Sequence, residues 1–272
     1  MNHRLVLRRP PELRLDVRAL QPLALAAMSA AEVARIALPY GRERVPLAEW
    51  FDVVPGTPGG DDARLELEGE LSRLDAVGAG LADGVLEVHG AVGDGVGLGM
   101  RGGRLHVHGR ARDLAGCAMS GGWLEVDGDV GDLAAGALPG DLDGMRGGSF
   151  VVRGNAGARL ADRMRRGTLV VFGDAGEFAA SRMVAGTLAL GGRCGAHAAW
   201  GMRRGSLVFA GAAPDPGATF VPLASDIAVF WQLLARDLAR FGAPFDALPR
   251  RRVTRYAGDL AVDGRGEWLV AA

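Results

Sequence analysis

The sequence contains no lysine; all 31 of its basic residues are arginine. Such a composition reflects a GC-rich genome more than a function, yet it leaves every cationic site with a planar, bidentate group. An excess of charge is also missing. The formal net charge of -1 does not indicate a general field for nucleic acid or an anionic membrane. The two cysteines, Cys117 and Cys194, make no metal-ligand spacing and no disulfide framework. No apolar window approaches a membrane span. The arginine-rich start, Met1 to Pro11, lacks the continuous apolar run of a signal peptide, so a cytoplasmic protein without nucleic-acid or membrane partners is expected. Phosphate loops, activated-nucleophile signatures and paired carboxylates in a recognisable cleft are absent too. Gly93-Asp-Gly95 and Gly95-Val-Gly97 have no βαβ context and are not dinucleotide fingerprints.

What the chain does have is a repeat. Gly84 returns as Gly103, Gly122, Gly148, Gly167, Gly186 and Gly205, at intervals of 19, 19, 26, 19, 19 and 19 residues, and a second glycine follows each after six residues, from Gly90 to Gly211. Between them the second and fourth positions are apolar, as in Leu86 and Val88, Leu105 and Val107, Phe150 and Val152. That alternation marks a strand with one buried face. A methionine stands three residues before each opening glycine from Gly103 onward: Met100, Met119, Met145, Met164, Met183 and Met202. Cys194 shares a repeat position with Val92, Ala111, Val130, Ala156 and Ala175, which reads as a small core residue. A 19-residue unit is too short to bury its own apolar face, so neighbouring units must stack.

The expected fold is therefore an all-β core, a parallel β-helix of about seven to eight coils. Residues 1–60 would form a short N-terminal α/β cap, 61–217 the coils, and 218–272 a C-terminal helix and extension. Ser29 and Glu32 make a capping box for a helix running toward Pro39. Leu65 and Leu67 look like a degenerate first coil. The 26-residue interval places a protruding loop at Ala137–Asp143. Ser225 can cap a helix through Phe241, and Asp263-Gly264 suggests a closing hairpin.

Stacking turns outward positions into columns. The polar half of that face groups His89, His106, His108 and Asp127. This grouping could serve a transition metal, but it reads as a solvated or interface ladder, because a flat sheet face offers no enclosure or supporting layer; no metal site is assigned. The apolar half, Val151, Val170, Phe172 and Val208, is a patch that soluble monomers avoid. It must be covered by the helix after Ser225 or by a partner chain, and it is taken as an interface. Beside the methionine corner, Arg165, Arg166, Arg203 and Arg204 either solubilise turns or form a row for a polyanionic ligand or an acidic partner.

The unit Gly103-Arg-Leu-His-Val-His-Gly109 to Met119-Ser-Gly-Gly122 resembles the repeat of the family named for its Gly-x-Gly-x-Gly motif. That family includes the C-terminal domain of glutamate synthase and the C subunit of formylmethanofuran dehydrogenase. The segment Val45-Pro-Leu-Ala-Glu-Trp-Phe-Asp-Val53, the coil at Leu65 and the long coil Gly136–Gly148 resemble the latter most. The resemblance covers roughly residues 40 to 211. It implies that the β-helix is right-handed and that the chain is a subunit without catalytic residues or a bound cofactor of its own. Two kinds of complex are implied. One is a molybdenum or tungsten formylmethanofuran dehydrogenase. The other is the bacterial formyltransferase/hydrolase complex, which moves a formyl group from tetrahydromethanopterin to a methanofuran-like cofactor and hydrolyses it to formate. A lysine-free, arginine-rich composition and the extension past Val221 favour the bacterial version. There the companions would be subunits A, B and D, with an amidohydrolase-like metal site in A and formyl transfer in D. The arginine row would then contact the cofactor's polyglutamate tail. A free-standing glutamate-synthase-type subunit is the third reading.

Overall fold

The computed structural model describes residues 2–56, 62–224 and 227–272. The N-terminal segment contains β1 (His3–Leu7), β2 (Leu15–Asp16), α1 (Pro22–Ala26), α2 (Ala30–Ala34), β3 (Ala37–Tyr40), β4 (Glu43–Pro46) and β5 (Phe51–Pro55). The capping box forms: Ser29 N–H donates to Glu32 Oε2 at 2.7 Å, and Glu32 N–H donates back to Ser29 Oγ. The helix it starts is shorter than expected and gives way to β3. Pro39 disfavours a helical Leu38 and lies within the strand instead.

The repeats supply β6 (Arg64–Glu68), the short β7 (Leu74–Asp75), β8 (Val85–His89), β9 (Arg104–Val107), β10 (Ser120–Val126), β11 (Arg146–Val152), β12 (Arg166–Val171), β13 (Thr187–Leu190) and β14 (Ser206–Phe209). From β6 through β8 to β14, each long strand pairs parallel with the next, and equivalent residues face one another: Leu65, Leu86, Leu105, Leu124, Phe150, Leu169, Leu188 and Leu207 form one fully buried file. A second parallel line joins Val130, Ala156, Ala175 and Cys194 across the unit. The six methionines are all buried.

Each repeat turns a corner with alternate residues in the left-handed region: Gly95, Gly97 and Gly99, then Leu114, Gly116 and Ala118, later Phe178, Ala180 and Arg182. The middle residue faces the core, where a Cβ on Gly97 would stand 2.9 Å from Leu124 Cδ2; this is the physical content of the Gly-x-Gly-x-Gly motif. Aspartates bind the rungs side by side. Asp75 Oδ1 accepts from Asp94 N–H (2.8 Å), Asp113 Oδ1 from Asp132 N–H (2.9 Å) and Asp132 Oδ1 from Ala158 N–H (2.8 Å). A second ladder runs Asp129 to Asn155, Asn155 to Asp174 and Asp174 to Arg193, each link 2.7 to 2.8 Å.

The C-terminal part adds β15 (Val221–Leu223), α3 (Ala228–Ala239), β16 (Val253–Gly258) and β17 (Gly266–Ala271). Ser225, the expected helix cap, lies outside the described residues, as does most of the loop before β6. β17 pairs parallel with β14, and β16 folds back antiparallel on β17, so the whole sheet has 13 strands in the order β15-β16-β17-β14-β13-β12-β11-β10-β9-β8-β6-β1-β5. The N-terminal strand is thus a rung as well: β1 pairs parallel with β6 and antiparallel with β5. Trp268 closes the other end of the core against Phe209 and Phe220, with ring centroids 5.0 and 4.9 Å away. Four further strands, β4-β3-β2-β7, make a small second sheet. Among the described residues no helix is long and apolar enough to cross a membrane.

Candidate functional site

The structure corrects the apolar column. Val151, Val170 and Val208 are fully buried, and Phe172 is partly so, beneath the chain's own C-terminal segment. On α3 the residues Trp231, Ala235 and Leu238 recur at helical spacing and pack with these valines, followed by Phe241, Phe245 and Leu248. Phe172 meets Phe245 edge to face at 5.2 Å, with the Arg153 guanidinium 4.4 Å over the Phe172 ring. Intramolecular burial leaves Val151, Val170 and Val208 no surface for a partner. The opposite face of α3 is the exposed one: Val229 is 76%, Leu233 63% and Phe230 43% accessible. Sequence alone had no means to separate these two faces, because both are apolar.

The arginines divide. Arg165 and Arg203 line one groove of about 540 Å³ together with Arg163, Arg182, Trp200 and Leu142. Arg166 and Arg204 are exposed but do not line it; Arg166 stands in register with Arg146 on the neighbouring strand. The long loop forms one wall. Arg165 is paired with Asp143 and Arg163 donates to Asp141 C=O at 2.6 Å. Arg182 is held by the buried Asp162, 2.8 Å away, which also accepts from Ser181 Oγ. Arg203 has no carboxylate partner among the described residues. Asp259, at the same rim, is engaged by the N–H groups of Gly201 and Ala261, both at 3.0 Å. Burial would raise its pKa, but these bonds and one from Thr219 keep it below the usual carboxylate range. The exposed Trp200 and Leu142 were missed in the sequence; their only signal is that both are large apolar residues in turn segments.

The polar half of the face comes together as the stacking predicts. His106 and His108 lie between Glu87 and Asp127. Glu87 Oε2 is 3.0 Å from His108 Nε2 and 3.6 Å from His106 Nδ1, while Asp127 meets His106 Nε2 at 2.9 Å and His108 Nδ1 at 3.1 Å. His89 stacks on His108, centroids 4.7 Å apart and planes 4° from parallel. Partial burial pushes the Asp127 pKa up, but the two imidazoles outweigh it and hold the carboxyl below its ordinary range. Both thiols are pushed up to about 12 by burial, which removes them as nucleophiles at neutral pH.

No protein-family model matches the sequence. Over 80 residues the chain is 42% identical to the C subunit of the formyltransferase/hydrolase complex Fhc of Methylorubrum extorquens; that segment is 29% of this chain and 29% of the relative. Across nearly the whole length it superposes on a chain from the X-ray crystal structure of the formyltransferase/hydrolase complex (FhcABCD) of the same organism, in complex with methylofuran. The TM-score is 0.91 at 39% identity, covering 99% of both chains. The chain belongs to the Fhc C-subunit family. Within that family the match reaches past the repeats, so α3 and both ends of the large sheet fall inside the shared architecture. The resemblance carried by residues 40 to 211 therefore extends over the N-terminal strands and the helix-bearing C-terminal segment.

Proposed function

We propose that this chain is the noncatalytic scaffold subunit of a cytoplasmic formyltransferase/hydrolase complex in one-carbon metabolism. Its companions would be subunits A, B and D, with the amidohydrolase-like site in A and formyl transfer in D. The complex would take the formyl group from tetrahydromethanopterin to a methanofuran-like cofactor and release formate. The observation that carries this reading is the full-length match, at 39% identity, to a chain of a complex crystallised with methylofuran.

The physical features agree. Parallel pairing at a 19-residue interval, with two lines of contact per repeat, fits a right-handed parallel β-helix over 61–217, capped by 1–60 and flanked by 218–272. The aspartate ladders bind rung to rung, and the pKa of both thiols is pushed up to about 12, which suits a structural part. The companion subunits would dock on the outward face of α3, at Val229, Phe230 and Leu233. The groove of Arg163, Arg165, Arg182 and Arg203 would receive the polyanionic tail of the cofactor, while the companions handle its reactive end.

Co-expression with genes for an amidohydrolase-like protein and a formyltransferase tests the reading. One stable complex containing this chain, inactive or unassembled without it, is the expected result. A monodisperse lone chain with no affinity for either companion would sink it.

A further inference from the structure

The side chains between β8 and β10 present an unbalanced set of hydrogen-bonding groups. Each imidazole of the His106–His108 pair meets a carboxylate at both ring nitrogens. An ionised carboxylate only accepts, and a neutral imidazole carries a single N–H. Two neutral rings therefore bring two protons to four contacts. Asp127, at 2.9 and 3.1 Å, has two N–H donors within reach and takes both. In that tautomer of two neutral rings, His106 Nδ1 and His108 Nε2 would each aim a lone pair at the anionic Glu87 Oε2 from 3.6 and 3.0 Å.

A divalent cation placed among those three atoms turns repulsion into coordination. Tetrahedral zinc, with ligand arms of about 2.0–2.2 Å, separates its ligand atoms by roughly 3.4 Å, and the two observed separations bracket that value. One ligand atom from each of the three residues lies within 4.8 Å of the other two. Two histidines and one glutamate are a donor set that zinc uses in open sites. The arrangement also provides the outer carboxylate that metal-bound histidines need on their other nitrogen, because Asp127 fixes the tautomer of both rings. This is the supporting layer that a bare sheet face was expected to lack. His89, stacked on His108, adds a wall.

We propose that Glu87 Oε2, His106 Nδ1 and His108 Nε2 bind one transition-metal ion of the zinc class, with Asp127 orienting the two rings. Two neighbouring groupings are weaker candidates because their carboxylates are engaged. Glu68, beside Glu66 and His89, pairs with Arg4 at 3.3 Å, and Glu125, beside His106 and Asp127, is held by Arg153 at 2.7 Å and by Trp123 Nε1 at 3.2 Å. The nearest arginine to Glu87 is Arg64, at 3.9 Å. The site stands independently of the scaffold assignment.

The test is titration of the chelator-treated full-length chain with Co²⁺ at pH 7.5, followed by its visible ligand-field absorption and by displacement with Zn²⁺. One equivalent per chain with the intense bands of a tetrahedral ion is expected. His106→Asn and His108→Asn should each abolish the bands, Asp127→Asn should weaken binding by about 10- to 100-fold, and His89→Asn should retain them. Circular dichroism melts of each variant separate loss of a ligand from loss of fold. Failure of the unmutated chain to take up stoichiometric Co²⁺ overturns the proposal, as do bands that survive both histidine substitutions.

Discussion

The terminal methyl of Met119 occupies the space in which a side chain on Gly148 would begin: a Cβ there would stand 2.7 Å from Met119 Cε. The same relation holds between Met100 and Gly122, Met145 and Gly167, and Met164 and Gly186. The methionine of one repeat thus fills the gap left by the opening glycine of the next, so the two columns are one device.

That coupling is measurable. Gly148 also has φ +84, so Gly148→Ala combines overlap with backbone strain and should destabilise by about 1–3 kcal/mol. Met119→Ala alone should cost about 2–5 kcal/mol. In the double variant the overlap with the methionine disappears, while the close approach to Gly122 O (2.8 Å) and Gly121 C (2.9 Å) and the backbone strain persist. Denaturant unfolding of all four proteins should show a non-additive cycle; additivity would mean that the methyl and the glycine are unrelated.

The left-handed corner allows a cleaner backbone experiment. Gly99 and Ala118 are the same corner position in successive repeats, at φ 61 and 54, and a Cβ on Gly99 would touch nothing within 4 Å. Gly99→Ala should therefore cost about 1–2 kcal/mol through conformation alone. Ala118→Gly should shift stability the other way, by a smaller amount because glycine also loosens the unfolded chain. Matching melting curves for both variants would show that these corners carry no strain.

The outward face of α3 can be separated from its inward face. Leu233→Glu with Phe230→Ser leaves the packed Trp231, Ala235 and Leu238 alone, so the stability of the isolated chain should move by no more than about 0.5 kcal/mol. Co-purification with companion subunits should fall at least tenfold, equivalent to about 1.4 kcal/mol. Undiminished assembly would place the interface elsewhere.

Arg165→Ala with Arg203→Ala should raise the apparent KM of the assembled complex for a polyglutamylated cofactor while sparing one with a truncated tail. Each exposed contact is worth about 0–1 kcal/mol, so the effect is a few-fold and shrinks as salt is added. Arg166→Ala with Arg204→Ala, outside the groove, serves as the control. Equal KM values across all variants would remove the groove from the cofactor's path.

Asp174 has its pKa held below the usual value, chiefly by the Arg193 backbone N–H and then by the Arg193 side chain. A depressed folded-state pKa adds stability above the unfolded-state pKa, near 3.8, and that contribution is lost as pH falls through the lower folded value. Asp174→Asn keeps an acceptor for the ladder, as Asn155 already does, but removes the proton linkage. Unfolding measured from pH 7 to 3 should show a shallower acid decline for the variant. Identical profiles would show that the ladder charge is not linked to folding.

Much of this was legible in the primary structure, and the remainder was not for physical reasons. The register of the strands follows from Leu86, Leu105 and Leu124 together with their glycines, since a one-residue slip would turn a whole file outward. Which chain covers Val151, Val170 and Val208 was not legible, because an internal helix and a foreign subunit satisfy an apolar column equally well. Asp75, Asp94, Asp113 and Asp132 escaped notice although three intervals of 19 residues join them. Aspartate is common at any turn, and only the backbone donor opposite each one makes it a ladder. The corner residues hid for a related reason: Leu114 and Phe178 take the conformation that Gly95 takes in an earlier repeat. The histidine cluster was visible as a column, but the orientation of its rings and the reach of Asp127 require coordinates.

Both ends of the parallel stack meet a strand that runs the other way: β5 beside β1 at one end, and β16 beside β17 at the other, with β15 turning back again beyond it. A pile of equivalent rungs has no built-in length, and its exposed last rung is a template for another molecule. The reversal breaks the parallel succession at each end, and Pro222 in the outermost strand takes away a backbone donor. The molecule is thereby a ruler of fixed length rather than the seed of a fibre, able to hold other proteins at set distances.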